Sequence, residues 1–227
     1  MLERTTHKIM SLEKNNSSIS EKIIKLYEKY GISDYIGESI TQTEHALQCA
    51  YLAEINSELT NYDNFVRECV IVAALMHDIG HLVGLENNEM QMESKTVING
   101  ANLGIVGHEN IGSNYLKECG MPQLVCELVG SHVFAKRYLC TMDKEYMEKL
   151  SDASRETFYM QGGFLTFEET MKFKSSNLQE LKILLRKFDD QGKVKNFDYD
   201  ILHRDGIGIT KYKKNIENLV AHSKLFI

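Results

Sequence analysis

One proline, Pro122, serves all 227 residues. Proline breaks helix interiors, so its scarcity together with long helical apolar spacings points to an all-α protein. No stretch reaches the roughly 18 consecutive apolar residues of a membrane span, so no membrane partner is expected. The opening Met1-Leu2-Glu3-Arg4-Thr5-Thr6-His7 carries no apolar core of the secretory type, so the expected location is cytoplasmic. The five cysteines, Cys49, Cys69, Cys119, Cys126 and Cys140, are odd in number and show no CxxC spacing. That argues against a zinc–thiolate site and for reduced, buried thiols. Basic residues are also in deficit, 26 against 32 acidic ones, for a formal net charge of −6. No nucleic-acid partner is therefore expected, although a local basic pocket is enough to hold a small anion.

What is present reads as one domain over 21–227 after a loose polar lead-in, 1–20. Ser20 and Glu21 mark a helix start, and Gly31 its end. Helices are expected at Thr43–Leu59, at Val66–His77 (the central buried one, apolar on nearly all sides), at His108–Glu118 and at Pro122–Val133. Others are expected at Lys144–Ser151, Leu178–Phe188 and Lys211–Leu225. Residues 82–104, with Glu86-Asn87-Asn88-Glu89 and Asn99-Gly100-Ala101-Asn102, read as a long loop. A C-terminal extension begins at about 199.

The chemistry concentrates in Leu75-Met76-His77-Asp78-Ile79-Gly80-His81. A His-Asp pair closes the apolar run Val70–Met76, and burying such groups unpartnered costs about 1–3 kcal/mol each. A metal ion is the partner that suits them, with His45, His108 and His132 placed to complete its ligand set. Imidazole with carboxylate suits iron, manganese, zinc or nickel. On a continuous helix, adjacent side chains point about 100° apart, so His77 and Asp78 share a site if the aspartate bridges two metals. A further carboxylate should come from Asp189 or Asp190, with Asp152 a competitor.

The order His45, His77-Asp78, His108, His132 and a late aspartate resembles the HD-domain superfamily, whose helical core carries one or two metals. Most members are phosphohydrolases. Longer segments resemble the smaller branch of mixed-valent di-iron oxygenases acting on 2-amino-1-hydroxyethylphosphonate or its trimethylated form. They are Asp34-Tyr35-Ile36-Gly37-Glu38, Glu44–Tyr51, Ala73–His81, His132–Leu139, Leu150–Arg155 and Tyr159–Gly163. The resemblance implies an all-α HD-domain bundle around a dinuclear site with two iron ions, Fe(II)/Fe(III). It implies His45, His77 and Asp189 on one iron, His108 and His132 on the other, and Asp78 as the bridge. Arg186-Lys187-Phe188-Asp189 matches the Arg-x-x-Asp pattern of that branch, so the resemblance favours Asp189 over Asp190. It further implies that Tyr35 guards an open iron position and that Glu38 faces the substrate. Lys136, Arg186, Ser154 and His81 match the phosphonate-binding positions, and Gln161 lines the pocket. The implied reaction uses O2 to cleave a C–P bond in organophosphonate catabolism, releasing phosphate and a carboxylic acid, glycine for the aminohydroxy substrate. The alternatives are a metal-dependent HD phosphohydrolase acting on nucleotides or phosphate esters, and a degenerate HD domain that only binds a ligand. The loop 82–104 and the tail after Tyr199 depart from the branch.

Overall fold

The computed structural model describes residues 18–35, 37–91, 97–98, 101–102, 104–198 and 208–226. The architecture is helical, as the apolar spacing requires. In order the helices are α1 Ile19–Tyr30, α2 Gln42–Ile55, α3 Asn64–Met76, α4 Ile79–Gln91, α5 His108–Glu118 and α6 Gln123–Met142. There follow α7 Lys144–Lys149, α8 Asp152–Met160, α9 Phe167–Lys174, α10 Gln179–Gln191 and α11 Lys213–Ser223. Three short 3₁₀ turns and a two-residue strand pair, Val97–Ile98 with Ala101–Asn102, complete the described chain.

Local chemistry sets several boundaries. Ser18, Thr41 and Thr166 each open a helix with a full capping box, closed by Glu21, Glu44 and Glu169 respectively. Each box satisfies two backbone N–H donors that a helix start would otherwise strand. The first helix therefore starts earlier than Ser20 suggested. Ser20 lies buried inside it and its hydroxyl donates to Glu217 on α11 at 2.7 Å. The long loop expected at 82–104 is corrected at its start, since α4 runs to Gln91. Leu82 and Val83 are buried, and that apolar face holds the segment helical despite its asparagines. Residues 92–96, 99–100 and 103 lie outside the described residues, as do 1–17 of the lead-in and 199–207 of the extension. The extension's described part folds back: α11 packs on α1 and α3. Helix α6 continues nine residues past the expected Val133, to Met142.

The core joins α1–α6 with α10 and α11. Helix α3 is its axis, with Val70 and Val72 to Met76 at 0% exposure. All five cysteines are free and buried, as expected. Helices α7–α9 belong to a different layer, resting on two small clusters around Tyr138 and Phe173, and around Cys140 and Phe158. Among the described residues no single helix is long and apolar enough to cross a membrane. Together α3 and α4 would be, but they are bent by 45° at a two-residue break.

Candidate metal centre and anion pocket

That break is His77-Asp78. The 45° bend separates the end of α3 from the start of α4, so both side chains reach one site from adjacent positions. Gly80 then lets the chain pass α5. A Cβ there would stand 1.9 Å from the His108 carbonyl oxygen and 2.8 Å from the Gly112 nitrogen. Backbone on both sides leaves no room to yield, so glycine is what brings His108 to the His77-Asp78 turn.

Four imidazoles converge: His45 from α2, His77 from the bend, His108 from α5 and His132 from α6. Each spends its Nδ1–H on a backbone carbonyl: Gly192 at 2.8 Å, Ala74 at 2.9 Å, Ile105 at 3.2 Å and Val129 at 2.8 Å. A carbonyl only accepts, so in the neutral ring each Nε2 carries a lone pair. Those lone pairs face each other, His45 against His77 at 3.1 Å and His108 against His132 at 3.0 Å. Facing lone pairs this close require a proton or a cation between them.

Carboxylates complete the demand. Asp78 Oδ2 lies 3.7 Å from His45 and 3.3 Å from His77, and its Oδ1 lies 3.2 Å from His108 and 3.5 Å from His132. One carboxylate thus turns one oxygen to each histidine pair. Asp189 Oδ1 stands 3.4 Å from His45, and its Oδ2 3.8 Å from His77. Burial opposes charge on His77, yet Asp78 and Asp189 outweigh it and push the imidazole up to about 9. Burial would raise Asp78, but the His77 charge and hydrogen bonds from His108 and His132 hold it well below the carboxylate range. The cage calls for positive charge between its members. Metal–nitrogen bonds of about 2.1 Å place neighbouring ligands about 3.0 Å apart in octahedral geometry, so the imidazole pairs fit a metal. Buried thiol Cys49, 3.7 Å from His45, also lies within reach of the first half. Its S–H turns to the Phe188 carbonyl at 3.4 Å, and burial pushes the thiol up, away from the thiolate a metal needs.

The other carboxylates weighed from sequence stand elsewhere. Asp152 is an exposed partner of Arg155, and Asp190 binds Arg186 and Tyr146.

The family model "HD domain" matches residues 43–160, just over half of the chain. The chain belongs to the HD-domain family. It is 32% identical over 215 residues to "Hydroxymethylphosphonate dioxygenase" of Gimesia maris, covering 95% of this chain and 94% of that one. It is 36% identical over 180 residues to "[1-hydroxy-2-(trimethylamino)ethyl]phosphonate dioxygenase (glycine-betaine-forming)" of Leisingera caerulea, covering 79% and 82%. An uncharacterized protein of Acanthamoeba polyphaga mimivirus, L432, is 42% identical over 182 residues, 78% and 76% of the two chains.

In this HD-domain chain a cavity of ≈ 50 Å³ opens beside the cage, lined by Tyr35, Glu38, Asp78, His81, His108, His132, Lys136, Ser154, Thr157, Gln161, Arg186, Asp189 and Lys193. Apart from the two displaced aspartates, the structure therefore brings the sequence-selected residues into one place; His45 and His77 lie just behind it, against the lining ligands. Tyr35 stacks on His45 with ring centres 3.9 Å apart, its hydroxyl 3.5 Å from Asp189 Oδ1. The loop carrying it is a tight reversal: Tyr35 N–H donates to the Ile40 carbonyl and Glu38 N–H to that of Tyr35. His81 stacks on His108 at 3.9 Å and accepts the Ile105 N–H on Nδ1 at 3.0 Å, leaving Nε2–H as a donor. Burial, then the charge of His108, holds its pKa well below the usual value, so the ring is neutral.

The wall facing the cage is cationic. Lys136, 3% exposed, donates to Thr157 Oγ1 at 3.0 Å, and burial with the Arg186 charge brings its ammonium down to about 7. Arg186 reaches Asp189 at 2.5 Å, Asp190, and the Tyr146 hydroxyl at 3.1 Å. The Tyr146 hydroxyl donates in turn to Asp190 at 2.6 Å. Lys193, Thr157, Tyr146 and the clamping role of Asp190 were missed from sequence. The one signal pointing to Lys193 is its position four residues past Asp189.

Proposed function

We propose that this chain is a di-iron dioxygenase that cleaves the C–P bond of a 1-hydroxyphosphonate, with the 2-amino-1-hydroxyethyl compound as substrate and glycine and phosphate as products. One observation carries the reading: one cavity is lined both by Asp78, His108, His132 and Asp189 and by Lys136, Arg186, Ser154 and His81. Relatives bearing phosphonate dioxygenase names at 32% and 36% identity support it. The atoms balance without another reductant, since the aminohydroxyphosphonate plus O2 equals glycine plus phosphate.

His45, His77 and Asp189 would hold one ion, His108 and His132 the other, with Asp78 shared. When bound, the ions supply the Lewis acid and the redox capacity for reaction with O2. The chain's own residues do the rest. Lys136, Arg186, the Ser154 hydroxyl and the His81 Nε2–H supply donors to the phosphonate oxygens, fixing the carbon end toward the cage. Arg186 shares its guanidinium with Asp189, so phosphonate position and cage position are mechanically linked. Tyr35, stacked on His45, covers the cage on the Glu38 side and must shift to admit a ligand atom there.

The deciding experiment incubates iron-reconstituted protein with a panel of 1-hydroxyphosphonates and follows phosphate with and without O2. O2-dependent phosphate release with glycine formation is expected. Anaerobic release from phosphate esters or nucleotides, with none from hydroxyphosphonates, would replace this reading with a metal-dependent phosphohydrolase.

A further inference from the structure

Arg186 sits between two spaces. With Asp189 it lines the inner cavity, while Tyr146 and Asp190 line a wider outer cleft of ≈ 650 Å³. Helix α10 sets this arrangement. Asp189 and Asp190 stand three and four residues past Arg186, the two spacings at which helical side chains meet. One guanidinium therefore serves two adjacent carboxylates.

Each of its nitrogens is engaged once among the described residues. Nη1 donates to Asp189 Oδ2 at 2.5 Å, Nη2 to Asp190 Oδ1, and Nε to the Tyr146 hydroxyl at 3.1 Å. That hydroxyl donates to Asp190 Oδ2 at 2.6 Å, closing a ring of Arg186, Tyr146 and Asp190. A guanidinium has five N–H bonds, so one on each Nη is left for the cavity.

The two aspartates differ in setting. The Asp189 side chain is 4% exposed and stands beside His45 and His77, whereas that of Asp190 is 21% exposed and opens on the cleft. Burial would raise Asp189, but the Arg186 charge leads the groups that hold it well below the carboxylate range. A carboxylate held down in this way is a weaker base, and so a weaker donor to a metal. Whatever part of the guanidinium charge Asp190 cancels no longer weighs on Asp189.

Resting on the phosphonate reading above, we propose that Asp190 is a positioning residue that divides the Arg186 charge between the cage and the anion. Its carboxylate offsets part of the guanidinium charge, so Asp189 stays a strong ligand for the ion it would share with His45 and His77. The same offset tempers the pull of Arg186 on a phosphonate. Cage and anion compete for one cation, and Asp190 sets the balance. Removing its charge should move the two affinities in opposite directions, whereas local loss of structure would weaken both.

Asp190→Asn tests this, because it keeps an oxygen for the guanidinium and removes the charge. Anaerobic Fe(II) titration of the metal-free protein reads the cage. Calorimetry with ethylphosphonate on the metal-loaded protein reads the anion, at pH 6, below the value of about 7 at which the Lys136 ammonium is lost. In Asp190→Asn one of the two ions should bind about three- to tenfold more weakly and the other as in the native protein, while ethylphosphonate binds about three- to tenfold more tightly. Asp190→Glu, which restores the charge, should return both affinities toward native. Tyr146→Phe keeps both aspartate charges and should leave the binding of both ions unmoved. Equal weakening of both ions in Asp190→Asn, or ethylphosphonate bound no more tightly than by the native protein, would overturn the partition. A native protein that binds two ions and no ethylphosphonate loses the phosphonate reading, and the two ion affinities of Asp190→Asn then decide the role of Asp190 by themselves.

Discussion

The two walls of the cavity are built on different principles. On the cage side every imidazole is held by a main-chain carbonyl, and behind it lies a core with near-zero exposure from Val70 to Met76. On the anion side the cations are anchored side chain to side chain: Lys136 on Thr157, Lys193 on Ser154 and Glu38, Arg186 on Asp189, Asp190 and Tyr146. That wall rests partly on the small clusters beneath α7–α9. Main-chain anchors move only if the helix moves, whereas side-chain anchors can be re-paired one at a time. The cage is suited to constancy and the facing wall to changes of substrate.

The sharpest break of this contrast comes from Asp78→Ala. With its carboxylate gone, neither histidine pair keeps the shared oxygen, and both ions should be lost from metal analysis, with activity down at least about 100-fold. Retention of two ions per chain would dissolve the bridging assignment. Next in size is Gly80→Ala, which touches no ligand side chain. Its Cβ would collide with the His108 carbonyl, so a loss of about 2 kcal/mol or more is expected in denaturant melts, with reduced metal content. If the Gly80→Ala variant were as stable and metal-rich as the native protein, the α4–α5 crossing would be softer than its geometry.

Changes to the facing wall should spare the metal. Lys136→Met should raise KM for the phosphonate about 10- to 100-fold with two ions still bound. The native protein should show the same dependence on pH. The Lys136 ammonium lies near 7, so the cation is present below that pH and lost above it, and phosphonate affinity should fall as pH rises through about 7. This fall should vanish in Lys136→Met; a persisting fall would assign it to another group. The smallest effect is expected from Tyr146→Phe, which removes one contact to Arg186 and one to Asp190. About a fivefold rise in KM is expected, since Arg186 and Asp190 keep each other when both hydrogen bonds to the hydroxyl are lost. A change in kcat alone would place Tyr146 outside substrate binding.

The same contrast explains what could be read from the amino-acid order. His77-Asp78 ends an apolar run, and the other histidines occur near helix ends in matching order, so the cage was legible in the sequence itself. Asp189 was not: the residues alone left Asp190 and Asp152 open beside it, and only the Arg-x-x-Asp pattern of the resemblance chose it. Helices α8 and α9 were not legible, because Tyr159, Phe164, Phe167 and Met171 remain exposed and blur the apolar stripe. Ser151 and Thr166 carried their caps, but those short segments had no buried face long enough to confirm them. Lys193 and Tyr146 were invisible for another reason. Their partners Ser154 and Arg186 lie 39 and 40 residues away, and only the folded chain brings them together.

The bend at His77-Asp78 also bears on how this protein can change over generations. The most apolar segment of the chain is interrupted at the very two residues that turn into the site. Substitutions along α3 therefore disturb solubility, folding and ligand placement in one stroke, and selection cannot act on these separately there. On α8 the pocket residues Ser154 and Thr157 lie outside the central core, so substitutions at those two positions reach the pocket without touching a cage ligand.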